Sequence, residues 1–255
     1  MNESIRLSCD GAIASLTIDR PPLNILDIAT LGELDRALTS LTADEGIQLL
    51  ILRGAGPKAF SAGVAVQDHT AEKIDSMLES FHAGLRRLLD FPAPTLAVID
   101  GHCLGGGMEL AAACDLRFAA TACIFGQPEI ELGCYPPWAA AHYPQLLGLG
   151  NTADILLTGR TFDTDEAVRI GFVQRAVPAG DLDVAVDEFA AAITSRSVAV
   201  TRLAVRAIRA RRDRGFDDAL RESERLYTKE LTRTADMTEG LSAFLEKRSP
   251  KWQNR

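Results

Sequence analysis

The 255-residue sequence predicts an α/β fold that gives way to a helical C-terminal region. Three observations predict it. Short apolar runs closed by glycine alternate with stretches whose apolar residues recur at helical spacing. The alternation repeats before residue 110, as stacked βαβ units require. Beyond about residue 133 the strand-like runs largely stop and helical spacing takes over.

Taken in order, Ile5 to Asp19 reads as a hairpin, with "IRLSC", a turn at Asp10-Gly11 and the alternating "AIASLTID". "DIATLGELDRALTSLTAD" follows with helical spacing, and "IQLLILRGAG" is an apolar run closed by glycines, the pattern of a buried strand. The cycle recurs in "AEKIDSMLESFHAGLRRLLDF" and "PTLAVIDG". A further helix opens in the glycine run Gly105–Gly107, because "MELAAACDL" holds strong helix formers and no breaker. After "CIFGQPEIELG" the stretches "NTADILLTG", "TDEAVRIG", "LDVAVDEFAAAITSRSVAVTRLAVRAIRARRD", "FDDALRESERLYTKELTRT" and "MTEGLSAFLEKR" all read as helix. A soft boundary near 190–197 divides a core over residues 1–192 from a helical region over 193–255.

Composition narrows the function classes. A hydrophobic content of 47% can bury a sizeable core, and a net charge of −8 argues against a general nucleic-acid binder. Five cysteines without a C-x-x-C pair fit buried free thiols in a reducing compartment. No segment approaches the uninterrupted apolar length of a membrane span, and no signal peptide is legible at the start, so a cytoplasmic protein with no membrane partner is expected. The four histidines lack metal-ligand spacing, and no metal is expected. "GLGNTA" at 148–153 fits G-x-G-x-x-A, but no strand precedes it and no G-K-[ST] follows a glycine run, so a nucleotide site is set aside. The run "RAIRARRDR" reads as a solvated helix face.

The informative residues are two carboxylates. Glu109 falls in the first turn of the helix that opens in the glycine run, among Met108, Leu110 and three alanines. A glutamate there commonly just offsets the helix dipole. Here the apolar neighbours imply burial, where an unpaired charge is costly, and three glycines weaken a helix start unless something must approach closely. Glu129 follows Pro128 in "FGQPEIELG", on a peptide that proline stiffens. Glu131 is two residues on, and strand alternation would send both to one face, so periodicity does not choose between them.

The segments "GAGPKAFSAGVAVQDH", "AVIDGHCLGGGMELAAACDLRFAA", "FGQPEIELG" and "EGLSAFLEKRSPKW" resemble, in order and across nearly the whole chain, the enoyl-CoA hydratase/isomerase (crotonase) family. The resemblance implies a ββα superhelix core with a helical C-terminal region and assembly as a homotrimer, or as a hexamer made of two trimers. It implies an acyl-CoA thioester substrate whose coenzyme A is part of the substrate, with no separate cofactor. It places the oxyanion-hole amides at Val64 and Gly106, and the two glutamates that handle water in family hydratases at Glu109 and Glu129, leaving Glu131 without a role. Ala62, Gly63 and Gly105 flank the amides, and Phe244 and Lys247 match positions near the adenine and a phosphate of CoA. With both glutamates present the resemblance implies hydration of a conjugated double bond. The rivals are another reaction of the family (isomerisation, decarboxylation or hydrolysis) and a non-catalytic acyl-CoA-binding protein.

The chain departs from the family pattern where "PPWAAAHYP" replaces the usual "PGAGG". Pro137 stands at a glycine position and has no N–H to offer, and Trp138 and Tyr143 are expected to add bulk at the acyl pocket. With "PPLNILD" and the helix after "VAVQDH", these variants are similar to cyclohexa-1,5-diene-1-carbonyl-CoA hydratases, which implies a compact cyclic acyl group.

Overall fold

The computed structural model describes residues 3–210, 212 and 214–254. Its strands run in chain order as β1 (Ile5–Asp10), β2 (Ile13–Ile18), β3 (Leu49–Gly54), β4 (Ala59–Ser61), β5 (Thr95–Ile99), β6 (His102–Leu104), β7 (Leu116–Ala120), β8 (Ile124–Gly126), β9 (Thr161–Asp163) and β10 (Arg175–Val177). The helices are α1 (Ile28–Thr42), α2 (Ile74–Leu89), α3 (Gly106–Ala112), α4 (Pro137–Leu147), α5 (Leu149–Thr158), α6 (Thr164–Arg169), α7 (Leu182–Thr194), α8 (Val198–Arg209), α9 (Phe216–Arg225) and α10 (Ala235–Leu245). The result is an α/β core followed by a helical C-terminal region.

Two sheets form. The larger has the order β1-β2-β3-β5-β7-β10, with β1 and β2 as the antiparallel hairpin and every later pairing parallel. Buried on both faces, β3 and β5 read as unbroken apolar runs rather than alternating ones, as parallel strands do. The smaller sheet, β4-β6-β8-β9, is built of three-residue strands, too short to show a period in the sequence. Its strands β4, β6 and β8 are parallel, so their carboxyl ends share one edge. The segments leaving that edge begin at Ala62, Gly105 and Gln127. Ligands of open α/β sheets gather at such edges.

The C-terminal helices differ from the sequence reading in two respects. The stretch read as one helix from Leu182 is broken at Ser195–Ser197, where Ser197 caps α8 by accepting from the Val200 N–H. Nor is "RAIRARRDR", of which Arg211 and Asp213 lie outside the described residues, a solvated face. Arg209 pairs with Asp115 and donates to the Phe91 and Ala93 carbonyls, and Arg212 donates to the Leu89 carbonyl, so these cations bolt α8 to the core. No helix of the described residues is long and apolar enough to cross a membrane.

The chain end is hooked back. Asp236, 1% exposed, accepts from the Ser197 hydroxyl at 2.5 Å and from the Gln253 and Asn254 amides at 2.6 and 2.8 Å. Replacing Asp236 with Ala leaves these donors unsatisfied, and a loss of about 3 kcal/mol of stability is expected. The check is the urea midpoint at fixed protein concentration.

Candidate active site

Helix α3 starts where β6 ends, with Gly105 in the positive-φ region (+52°) turning the chain. The helix packs so tightly against the segment after β4 that side chains are shut out. A Cβ on Gly107 would lie 2.3 Å from the Ser61 carbonyl oxygen, and one on Gly106 would lie 2.7 Å from Val64 Cγ2. The glycine run is thus a packing requirement of the site.

That packing brings two backbone amides side by side. A Cβ on Gly63 would lie 3.3 Å from the Gly106 nitrogen, and one on Gly106 would lie 3.3 Å from the Val64 nitrogen. A bridge to Leu26 fixes the first segment, with Leu26 N–H donating to the Gly63 carbonyl and Ala65 N–H to the Leu26 carbonyl, each at 2.9 Å. The Val64 and Gly106 N–H groups have no backbone acceptor among the described residues. Paired free donors of this kind suit an oxygen that gains negative charge.

Both glutamates reach the same cavity, about 540 Å³ in volume, lined also by Ala62, Gly63, Val64, Gly105, Gly106 and Pro137. Its walls add Met77, Leu78 and Phe81 from α2 and Leu132 to Pro136 from the loop before α4. Glu129 lies on a 3₁₀ turn, Pro128–Leu132, rather than on a strand, so Glu131 points elsewhere and is exposed. The question that alternation left open is answered by the turn type. A larger apolar cavity of about 820 Å³ lies between the main sheet and α8 and α10, lined by Ile193, Val205, Leu241 and Trp252 among others, and holds neither glutamate.

Glu109 is 4% exposed, and its Oε1 accepts from the Ala139 N–H at 2.9 Å. Helix α4 begins at Pro137, so Ala139 offers a first-turn amide, and the carboxylate caps that helix. Pro137 has no N–H itself, but the helix that it starts supplies one two residues later. Burial first, then the nearby Glu129 charge, raises the Glu109 pKa to about 8, against the Ala139 hydrogen bond. Burial raises Glu129 to about 7.

Glu129 is moored by contacts that the sequence reading missed. Gln127 is fully buried, and the amide orientation that satisfies its neighbours puts its nitrogen 3.1 and 3.0 Å from the two Glu129 oxygens and its oxygen 2.7 Å from the Tyr143 hydroxyl. A buried amide beside a glutamate, Gln-Pro-Glu, was the available signal. The Ala139 amide left none, since backbone donors are invisible to residue type.

Four expected contacts are not brought to the cavity in this chain. Trp138 does not line it; its ring packs on His142, with centroids 4.4 Å apart, and edge-on to Tyr143. Tyr143 is core, so neither ring narrows the acyl pocket as the sequence reading expected; the reason is that "PPWAAAHYP" forms α4, which turns both rings inward. Phe244 is 81% exposed, and neither it nor Lys247 lines the cavity.

A model of the enoyl-CoA hydratase/isomerase family matches residues 8–255. The chain belongs to the enoyl-CoA hydratase/isomerase family. It is 39% identical over 253 residues to a cyclohexa-1,5-dienecarbonyl-CoA hydratase of Thauera aromatica, covering 98% of this chain and 96% of that protein. Among solved structures it is similar to Pseudomonas aeruginosa DspI, with a TM-score of 0.93 at 32% identity, covering 99% and 97% of the two chains. An enoyl-CoA hydratase from Bacillus anthracis matches with a TM-score of 0.93 at 30% identity, covering 99% and 100%.

The raised pKa values of the family member's two glutamates have a consequence for stability. The folded protein holds protons that the unfolded chain releases, so this contribution is full below the ordinary value of 4.5 and is lost as pH rises through about 7 and 8. Glu109→Gln removes the penalty of ionising a buried carboxyl. Its thermal midpoint is expected to exceed the wild type at pH 9, the difference vanishing towards pH 4, as a pH series of melting curves would show.

Proposed function

We propose that this protein adds water across the conjugated double bond of an enoyl-CoA thioester, as a hydro-lyase, with Glu109, Glu129 and the Val64 and Gly106 amides as its machinery. One observation carries the reading: two carboxyls with raised pKa values, Glu109 buried and Glu129 half-buried, share a cavity with two unengaged amide donors. A catalytically silent acyl-CoA binder has no use for that arrangement, and an isomerase needs only one carboxyl.

In this mechanism the thioester oxygen accepts from the Val64 and Gly106 N–H groups, which stabilise the enolate as water adds at C3. One carboxylate removes the water proton and one carboxylic acid protonates C2. Burial favours the proton on Glu109, whereas the Ala139 N–H favours Glu109 ionised, so the pair is treated as one unit holding one proton. Within it we assign Glu109 to the water and Glu129, oriented by Gln127, to C2.

The acyl group we infer is compact and cyclic, of the cyclohexa-1,5-diene-1-carbonyl type. The Thauera aromatica relative carries that name, and the wall before α4 runs through Pro136 and Pro137, which are stiffer than glycines. A rigid ring loses less conformational freedom in such a site than a linear chain. We further propose a core over residues 1–192 and a helical region over 193–255 that joins copies into a homotrimer or hexamer in the cytoplasm, with no cofactor beyond the substrate's own CoA. Among the described residues no Lys or Arg lines the cavity, and the exposed Phe244 and Lys247 of a neighbouring copy would supply the adenine and phosphate contacts.

Glu109→Gln and Glu129→Gln are each expected to lower kcat by about 10²–10⁴-fold while acyl-CoA still binds, and the double variant to be little worse than either single one. Near-normal hydration by Glu129→Gln would remove the mechanism. Side by side, the cyclic dienoyl-CoA is expected to give a higher kcat/KM than crotonyl-CoA or a longer linear enoyl-CoA. The reverse order, read by mass detection of water addition, would retire the cyclic reading and leave the hydratase standing.

A further inference from the structure

One side chain near the catalytic helix is costly and has no place in the mechanism above. Arg117 on β7 is 2% exposed, and among the described residues no carboxylate forms an ion pair with it. The nearest candidate, Asp115, has both oxygens taken by Arg209, with Thr95 also donating to Oδ2. Burial lowers the Arg117 pKa, as a desolvated cation requires. Its guanidinium is met by carbonyl oxygens instead. Nε donates to the Phe172 carbonyl, and Nη1 donates to Cys114 at 2.7 Å, with a longer contact of 3.5 Å to Ala111.

Ala111 and Cys114 sit at the C-terminal end of α3, where the last carbonyls of a helix have no partner within it. This end is a cation's natural site, because the helix dipole is negative there. Helix α3 also needs holding. It has seven residues, two of them glycine at its start, and has no side-chain cap at its N-terminal end; a helix so short does not persist by its own hydrogen bonds.

We propose that Arg117 is a positioning residue for the reaction, holding α3 from behind so that the Gly106 amide and Glu109 at its other end stay in register with Val64. The proposal rests on the hydratase reading. Arg117 touches neither substrate nor reacting atoms; it acts through the helix. Losing it would let α3 rock against Ser61 and Val64, where the spacing leaves no slack, and misaligned donors lose transition-state stabilisation more than ground-state binding.

The test uses Arg117→Lys and Arg117→Gln in the full assembled protein, measuring kcat and KM for an enoyl-CoA. It adds the infrared carbonyl stretch of bound butyryl-CoA carrying ¹³C at the thioester carbon, an inert ligand that reports the amide pair. In Arg117→Gln we expect kcat to fall about 10- to 100-fold with KM nearly unchanged, and the stretch to move towards its value in solution. Arg117→Lys, which keeps the charge, should recover part of both. A soluble variant that melts earlier but keeps wild-type kcat and carbonyl frequency overturns the proposal. Should neither variant be soluble, hydrogen exchange on the unaltered protein decides. Amides of residues 107–113 protected as strongly as those of β5 support it, and exchange of α3 by easy local opening overturns it. Absence of any hydration by the wild type would instead defeat the functional reading on which the proposal stands.

Discussion

The site depends on the contact between the start of α3 and the segment leaving β4. Gly106 and Gly107 lie where no Cβ fits, against Val64 and the Ser61 carbonyl. At Gly107 the approach is backbone to backbone, which leaves the amide spacing little freedom. It also fixes where Glu109 emerges one turn later, and the parallel strands β4, β6 and β8 deliver Glu129 to the same edge.

The two carboxyls are then held differently. Glu109 is gripped by backbone, at the first turn of α4, and so takes its position from the path of the chain. Glu129 is gripped by side chains, through Gln127 and Tyr143. A buried polar network is stable when its members are satisfied, and here Tyr143 is fixed in the core and transmits that fixity outward. Burial favours the neutral form of each acid, and the Glu129 charge raises Glu109 further.

Much of this was legible in the residues. The hairpin, β3, β5 and the helices α1 and α2 announce themselves through period and glycine punctuation, and the glycine run with its isolated glutamate marks the start of α3. What escaped notice had physical causes. Strands of three residues show no period, so the small sheet that carries the site was invisible until its pairings were formed. "PPWAAAHYP" looked like a stiff bulky wall because its prolines and rings stand out by type. Proline is welcome at the first position of a helix, and the α4 that it starts turns Trp138 and Tyr143 away from the cavity. The arginines at the end of α8 and just beyond it looked solvated because composition does not reveal which carbonyls a guanidinium will find.

The division of the cavity wall bears on how such an enzyme diversifies. The side built on Gly63, Gly105, Gly106 and Gly107 is closed to side chains, because a Cβ on each would meet backbone or the Glu129 carboxylate. The opposite side, Met77 and Leu78 on α2 together with Leu132, Tyr135 and Pro136, consists of side chains that touch neither amide. Substitutions on that side would reshape the cavity while the spacing of the Val64 and Gly106 amides stays as it is.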